Sequence, residues 1–185
     1  MRKLLVLDLD ETLIHAVETP LDRPADFVVP PYYIYKRPGL DHFLAHIAEI
    51  YRLSVWTSSS PGYAHAVCDA LFDSRLPLEF VWASDRCTPT RDFELDCWTM
   101  TKRLKKLRRH GYSLEEVVVI DDSPEKHTHN YGNLVVVRPF EGSPADDELS
   151  LLLPYLRQLA LAPNIRRVEK RHWHCRSPHR IAGPL

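Results

Sequence analysis

The sequence predicts an α/β fold built on a doubly wound, mostly parallel sheet. Two patterns carry that expectation. Short apolar runs alternate along the chain with segments of helical periodicity, the mark of successive strand–helix units. The clearest runs, Leu4-Leu5-Val6-Leu7 and Val117-Val118-Val119-Ile120, are continuously apolar rather than alternating. Strands of that kind are covered on both faces.

The first strand falls near 3–8 and ends on Asp8-Leu9-Asp10-Glu11-Thr12. Residues 14–36 form a proline-bearing excursion with one short strand at Tyr32-Tyr33-Ile34-Tyr35. Pro38 opens a helix that runs through Ile50, with Leu40, Phe43, Leu44, Ile47 and Ala48 on one face. Proline suits a first helical turn because its missing N–H would be unpaired there. A second strand covers 51–57, and Ser58-Ser59-Ser60-Pro61 caps a second helix to Phe72. Glu79-Phe80-Val81-Trp82 reads as the third strand, followed by a polar loop to Asp96 and a helix over 97–110 stopped by Gly111. Two further strands, 117–120 and 134–137, precede a last helix over 145–161, where Pro154 marks a kink.

At 185 residues the chain fits one domain with a substantial core. Its hydrophobic content of 44% and charged content of 26% are those of a soluble globular protein. A net charge of −1 gives no global drive toward nucleic acid or anionic membrane. No apolar stretch reaches the length of a membrane span, and Asp8 and Asp10 interrupt what could be a signal peptide. The cysteines, Cys68, Cys87, Cys97 and Cys175, form no C-x-x-C pair, which suits reduced thiols and a cytoplasmic location. Cys68 lies on an apolar helical face and reads as core.

Residues 1–161 are expected to form the globular domain, and 162–185 a basic C-terminal extension. From Asn164 onward six basic residues face the single acid Glu169, a local charge of +5 that leaves −6 on the preceding body. Such a segment can bind RNA, a membrane surface or an acidic partner; the favoured reading is a solvated extension or a strap folded back on the acidic body. His172-Trp173-His174-Cys175 does not make a zinc site, because its ligands are too close in sequence and no second cluster completes a tetrahedron.

Three strands end in polar residues: Asp8-Leu9-Asp10, Thr57-Ser58 and Asp121-Asp122. One such pair could be an acidic turn with Thr12 as a helix cap. Three converging at carboxyl ends of strands, where α/β sheets bind ligands, describe a hard-cation site with an anion cradle. Carboxylates at the end of a buried strand need a positive partner, because burying bare charge is costly.

These residues also carry a resemblance. Asp8-Leu9-Asp10-Glu11-Thr12, Thr57-Ser58, Lys102 and Asp121-Asp122 resemble, in order and strand placement, the four motifs of the haloacid-dehalogenase (HAD) superfamily. With Lys36-Arg37-Pro38-Gly39 and Ser123-Pro124 added, residues 1–161 are similar to the FCP/SCP-like, or NLI-interacting-factor-like, phosphatases. These include the phosphatases of the RNA polymerase II C-terminal domain.

The resemblance implies a phosphomonoester hydrolase. Asp8 would be the nucleophile that forms an aspartyl-phosphate. Asp10 would be the general acid and then the base. Mg²⁺ would be held by Asp8, Asp122 and the backbone carbonyl of Asp10, with Asp121 holding Lys102 or a metal-bound water. Thr57 and Ser58 would bind phosphoryl oxygens, and Lys102 would neutralise the transferring group. Lys102 is preferred over Lys105 or Lys106 because Leu104 and Leu107 set the buried side of that segment.

The motif spacings, 49 residues from Asp8 to Thr57 and 45 from Thr57 to Lys102, leave no room for a full cap domain. A capless site suits a phosphorylated protein, with phosphoserine or phosphothreonine expected, or another large phosphomonoester. A phosphatase for a small metabolite or a nucleic-acid end is one alternative, and a non-catalytic phospho-binding adaptor is the other. Two features depart from the polymerase-tail enzymes. The segment 14–36 is short, and Ser84-Asp85-Arg86-Cys87 stands where they carry an arginine-led substrate segment, leaving Arg86 or Arg91 as possible replacements.

Overall fold

The computed structural model describes residues 2–72, 74–92 and 97–176. Asp96, where the polar loop was expected to end, and the end of the basic extension from 177 onward lie outside the described residues.

In chain order the elements are β1 (Leu4–Leu7), β2 (Ile14–Val17), β3 (Phe27–Val29), β4 (Tyr32–Lys36), α1 (Leu40–Ile50), β5 (Arg52–Trp56), α2 (Pro61–Leu71) and β6 (Leu78–Trp82). There follow β7 (Thr88–Asp92), β8 (Cys97–Thr101), α3 (Lys105–Arg108), β9 (Val117–Asp121), β10 (Leu134–Val136) and α4 (Glu148–Ala160). The main sheet is five-stranded with the order β10-β9-β1-β5-β6, and all its neighbouring strands run parallel. The chain winds outward from β1 through β5 to β6, then crosses to β9 and β10 on the other side. The winding therefore reverses at β1, and its carboxyl end opens into the crevice that such reversals create.

The strands are buried on both faces, as their unbroken apolar runs predict. Leu5 and Leu7 of β1 join the core shared with α1, α2 and α4. Leu4 and Val6 face the opposite cluster, with Trp56, Trp82, Leu104 and Leu107. Ser60 caps α2, its side chain accepting the Tyr63 N–H at 3.4 Å. Helix α1 begins later than expected. Gly39, at φ 77°, occupies its cap position, so Pro38 stands outside the helix.

Two further expectations are corrected. Residues 14–36 hold three strands, not one. They form a small antiparallel sheet of order β2-β4-β3, seated beside the cleft rather than closing over it as a cap domain. The other correction concerns the helix over 97–110. Residues 97–101 are instead β8, which pairs antiparallel with β7, and only 105–108 are helical. The run Cys97-Trp98-Thr99-Met100-Thr101 is rich in β-branched and aromatic types, and it finds a partner in Thr88-Pro89-Thr90-Arg91-Asp92. Cross-strand pairing then outweighs the modest helical preference of a short segment.

Arg37 locks the insert onto the main body. Its side chain is fully buried, and it grips both carboxylate oxygens of Asp146, at 2.7 and 2.8 Å. It also donates to the carbonyls of Thr12 at 2.9 Å and Arg138 at 2.8 Å. The guanidinium beside Asp146 holds that carboxyl below its ordinary range although partial burial pulls the other way. Removing one partner of a buried pair strands the other, at about 3–5 kcal/mol. Arg37→Met should therefore lower the unfolding free energy in urea by about that amount. The double change Arg37→Met with Asp146→Leu should recover part of it, and no recovery would show that the ion pair is not the source.

Candidate active site

Strand β1 delivers Asp8 straight out of the core, its backbone N–H bonded to the Ile120 carbonyl at 3.0 Å. Asp8 is 2% exposed, and its carboxylate lies 2.8 Å from the ammonium of Lys102. That ammonium, itself buried, donates to Asp121 Oδ2 at 2.6 Å. His127 Nε2 meets the same oxygen at 2.8 Å, and Asp121 Oδ1 accepts the Ser123 N–H at 2.9 Å. Asn130 supports the cluster from behind. Its amide donates to the Lys102 carbonyl and lies 3.5 Å from His127 Nδ1. This suits the tautomer with its proton on Nε2, directed at Asp121.

The electrostatics follow from the burial. Desolvation and the charge of Asp121 push the Asp8 carboxyl up to about 7, against the pull of Lys102 and Lys126. Burial also acts to raise Asp121, yet Lys102 and His127 hold it far below the ordinary carboxylate range. Burial acts to lower Lys102, and the two aspartates overcome it and keep the amine protonated well above its usual range. The centre is thus an ion cluster in which Lys102 and Asp121 are charged and Asp8 is poised.

Asp122 points from the end of β9 toward the same place. Ligand oxygens of Asp8, Asp121 and Asp122 all lie within 4.8 Å of one another. Asp122 is oriented by Thr12, whose hydroxyl donates to Oδ1 at 3.2 Å and accepts the Asp122 N–H at 3.2 Å.

Asp10 stands apart from this cluster, on the turn after β1. That turn is tight, with Glu11 at φ 56°. It is pinned by Glu11 N–H to Ile14 O at 2.8 Å and Phe140 N–H to Glu11 O at 2.7 Å. The Asp10 carboxylate receives two short hydrogen bonds at 2.6 Å, from the Ser59 hydroxyl and the Tyr63 phenol. Burial, then the charge of Asp10, drives the Tyr63 phenol far above its usual range, so it remains a donor. Glu11 is pushed up to about 7 by burial and by its neighbours Asp10 and Asp122.

Asp8, Asp10, Thr57 and Ser58 line one cleft of about 470 Å³, together with Ser59, Tyr63 and Lys126. Thr57 Oγ1 accepts the Ser59 N–H at 3.1 Å, which leaves its proton free to donate into the cleft. The Tyr32 ring, from the small sheet, meets Tyr63 edge-on at 5.6 Å and closes the far wall.

The structure brings Asp8, Asp10, Thr57, Ser58, Lys102, Asp121 and Asp122 to one end of the sheet. Lys102, however, is not presented by a helix. It follows β8 and is fixed by its own N–H, bonded to the Lys126 carbonyl at 2.8 Å. Lys106 turns away to the carbonyls of Arg86 and Cys87, and Lys105 is exposed. Arg86 is exposed near Trp82, and neither it nor Arg91 lines the cleft. Sequence reasoning missed Ser59, Tyr63, His127, Asn130 and Lys126. Ser59 sat in plain view inside a helix-capping run. Tyr63 is three residues into that helix, where its spacing from Ser60 was the available signal. For His127 and Asn130, spacing gives no sign of which carboxylate they serve.

Comparison with known proteins agrees with the geometry. Residues 3–166 match the family model described as NLI interacting factor-like phosphatase. The chain is 32% identical over 188 residues to CTD nuclear envelope phosphatase 1B of Danio rerio, covering 94% of this chain and 73% of that one. It is 32% identical over 176 residues to Phosphatase Herzog of Drosophila melanogaster, covering 90% of this chain and 47% of that one. Among solved structures, the fission yeast RNA polymerase II CTD phosphatase Fcp1 bound to beryllium fluoride superposes with a TM-score of 0.59 and 28% identity, over 76% of this chain and 42% of that one. A protein of Porphyromonas gingivalis described as a predicted HAD-like family hydrolase shares the fold at a TM-score of 0.51 and 15% identity. A sheet reversal that gathers these carboxylates around a buried lysine and a family match across nearly the whole described chain lead to one conclusion: this protein belongs to the NLI interacting factor-like phosphatases, on a HAD-like fold.

Proposed function

We propose that the chain is a Mg²⁺-dependent phosphoprotein phosphatase that forms an aspartyl-phosphate on Asp8 and acts on phosphoserine or phosphothreonine. One observation carries this reading: two carboxylates of opposite circumstance line the same cleft. Asp8 is buried against Lys102. Asp10 is held at its rim by Ser59 and Tyr63. A module that only bound phosphate would need no second carboxylate there, since it would repel the ligand.

The donor set suits magnesium. Its atoms are carboxylate oxygens close enough to share one ion. Asp121 already accepts three donors, so Asp8 and Asp122, with the backbone carbonyl of Asp10, are the residues that would hold the metal. When bound, the ion supplies the positive charge that lets a carboxylate and a phosphate approach.

The chain's own residues do the rest. Asp8 attacks phosphorus, and the bond from phosphorus to the serine or threonine oxygen breaks. Asp10 delivers a proton to that oxygen, then removes one from the water that cleaves the aspartyl-phosphate. Thr57 donates to a phosphoryl oxygen, as do groups around Ser58. Lys102 offsets the growing charge from beneath Asp8. The substrate class is supported by the small insert, which leaves the cleft accessible, and by relatives whose names describe phosphatases of a polymerase C-terminal domain. Buried free thiols at Cys68 and Cys87 suit a reducing compartment, the cytoplasm in this reading.

Asp8→Asn should cut turnover of a generic aryl phosphate by at least about a thousandfold, while the far-UV spectrum stays unchanged. Wild-type turnover in that variant would defeat the assignment. The pH dependence of metal binding has a definite sign. Asp8 sits near 7 without metal, raised from 3.8, so Mg²⁺ must displace its proton below that point. Apparent Mg²⁺ affinity should weaken by about tenfold for each pH unit below 7 and flatten above it. Calorimetry in two buffers at pH 6 should register release of nearly one proton per ion.

A further inference from the structure

The C-terminal segment is anchored by apolar side chains and presents charged ones. Ile165 and Trp173 are buried, the latter tilted against Tyr155 and bonded through Nε1 to the Val136 carbonyl at 2.7 Å. Between these anchors Lys170 turns inward and donates to the carbonyls of Ile165 and Val168, at 2.5 and 2.6 Å. Asn164 caps the turn by accepting the Arg166 N–H at 2.9 Å. Gly132 lets the facing loop close on it, since a Cβ there would lie 3.2 Å from Arg166 Cβ and 3.3 Å from its carbonyl oxygen. A turn fixed at so many points holds Arg166 and Arg167 outward in a defined place.

That place is a groove of about 620 Å³ between the segment and β10, the edge strand of the main sheet. Its floor includes Leu134, Val136 and the exposed ring of Tyr131. The acid in its wall, Glu169, is engaged by Arg171 at 2.6 Å. Arg166 and Arg167 have no carboxylate partner among the described residues. Arg166 also borders a second cavity with Arg103, Lys105 and Arg108, which extends the positive surface. Five exposed or half-buried cations thus adjoin one another on a chain whose body carries the opposite sign.

The groove also adjoins the catalytic cleft. Pro124 lines the groove and Lys126 lines the cleft, two residues apart on one turn. We propose that this groove docks an acidic or multiply phosphorylated segment of the same polypeptide whose phosphoresidue enters the cleft. The proposal rests on the phosphoprotein reading above. Arginine clusters recognise such segments through paired N–H donors, and an apolar floor beside a sheet edge suits an extended polypeptide. A single-stranded nucleic acid would call for successive aromatic platforms, and the groove floor offers one ring, Tyr131.

The test compares two phosphopeptides with the full chain, one carrying a flanking run of Asp and Glu and one with Ser and Ala instead. The run is placed on either side of the phosphoresidue in separate peptides. For the wild type, kcat/KM for the better acidic peptide should exceed the neutral one about tenfold at low salt, through KM, and the gain should fade near about 0.5 M salt, where the Debye length shrinks to about 4 Å. The ratio should fall to about one in Arg166→Glu/Arg167→Glu, and to an intermediate value in the milder Arg166→Gln/Arg167→Gln, which gives the answer if the reversal does not fold. A wild-type ratio of one, or a ratio unchanged in the variants, overturns the docking groove. Hydrolysis of an aryl phosphate by the wild type separates this from the underlying reading, because a working phosphatase with no acidic preference loses only the groove. Tighter binding of a labelled single-stranded oligonucleotide than of the acidic peptide, lost in the same variants, would overturn it in favour of nucleic acid.

Discussion

The ammonium of Lys102 is the constraint on which the site depends. A lysine 1% exposed would ordinarily give up its proton, and burial does act in that direction. Asp8 and Asp121, at 2.8 and 2.6 Å, reverse the outcome and keep it charged. Each member then requires the others. Without Lys102 the two aspartates would repel each other in a poorly solvated place. Without Asp121 the ammonium would lose the nearer of the two carboxylates that keep it charged. Asp121 in turn needs His127 and the Ser123 N–H, so the course of the chain after β9 follows from the same requirement.

The remaining groups answer to different parts of the fold. Asp8 and Asp122 come from adjacent parallel strands, which makes their separation a property of the sheet. Asp10 depends instead on a turn with one left-handed residue and on the first turn of α2, which supplies Tyr63. Thr12 couples the two regions by orienting Asp122 from that same turn. Arg37 secures the arrangement, since it holds the Thr12 carbonyl while paired to Asp146. A rigid sheet therefore places Asp8, and a cross-braced turn places Asp10.

The carboxylate cluster and the basic groove occupy different parts of the sheet. The cluster sits over the sheet's centre. The basic groove is built at its edge, by a segment that joins the core through Ile165 and Trp173. Anchoring by apolar side chains leaves the intervening Arg166 and Arg167 exposed, whereas a strap held by its charges would have turned them inward.

Much of this was legible in the sequence. The sheet strands announced themselves because strands covered on both faces must be continuously apolar, and the candidate site residues because polar groups at the ends of such strands are conspicuous. Asp8, Asp10, Thr57, Asp121 and Asp122 needed only that local rule and a motif resemblance. What local rules could not decide was pairing between distant segments. β8 looked helical until β7 was available beside it, and the strands of the insert were too short to register singly. Tyr63, His127 and Asn130 are ordinary residues by their neighbours in sequence, and only the packing of α2 and the loop after β9 against the site shows what they hold. The sequence by itself determined which groups could do the chemistry, because residue type and strand periodicity are local properties. The tertiary structure alone decided how those groups are charged and aimed, because burial and hydrogen bonding arise between residues far apart in the chain.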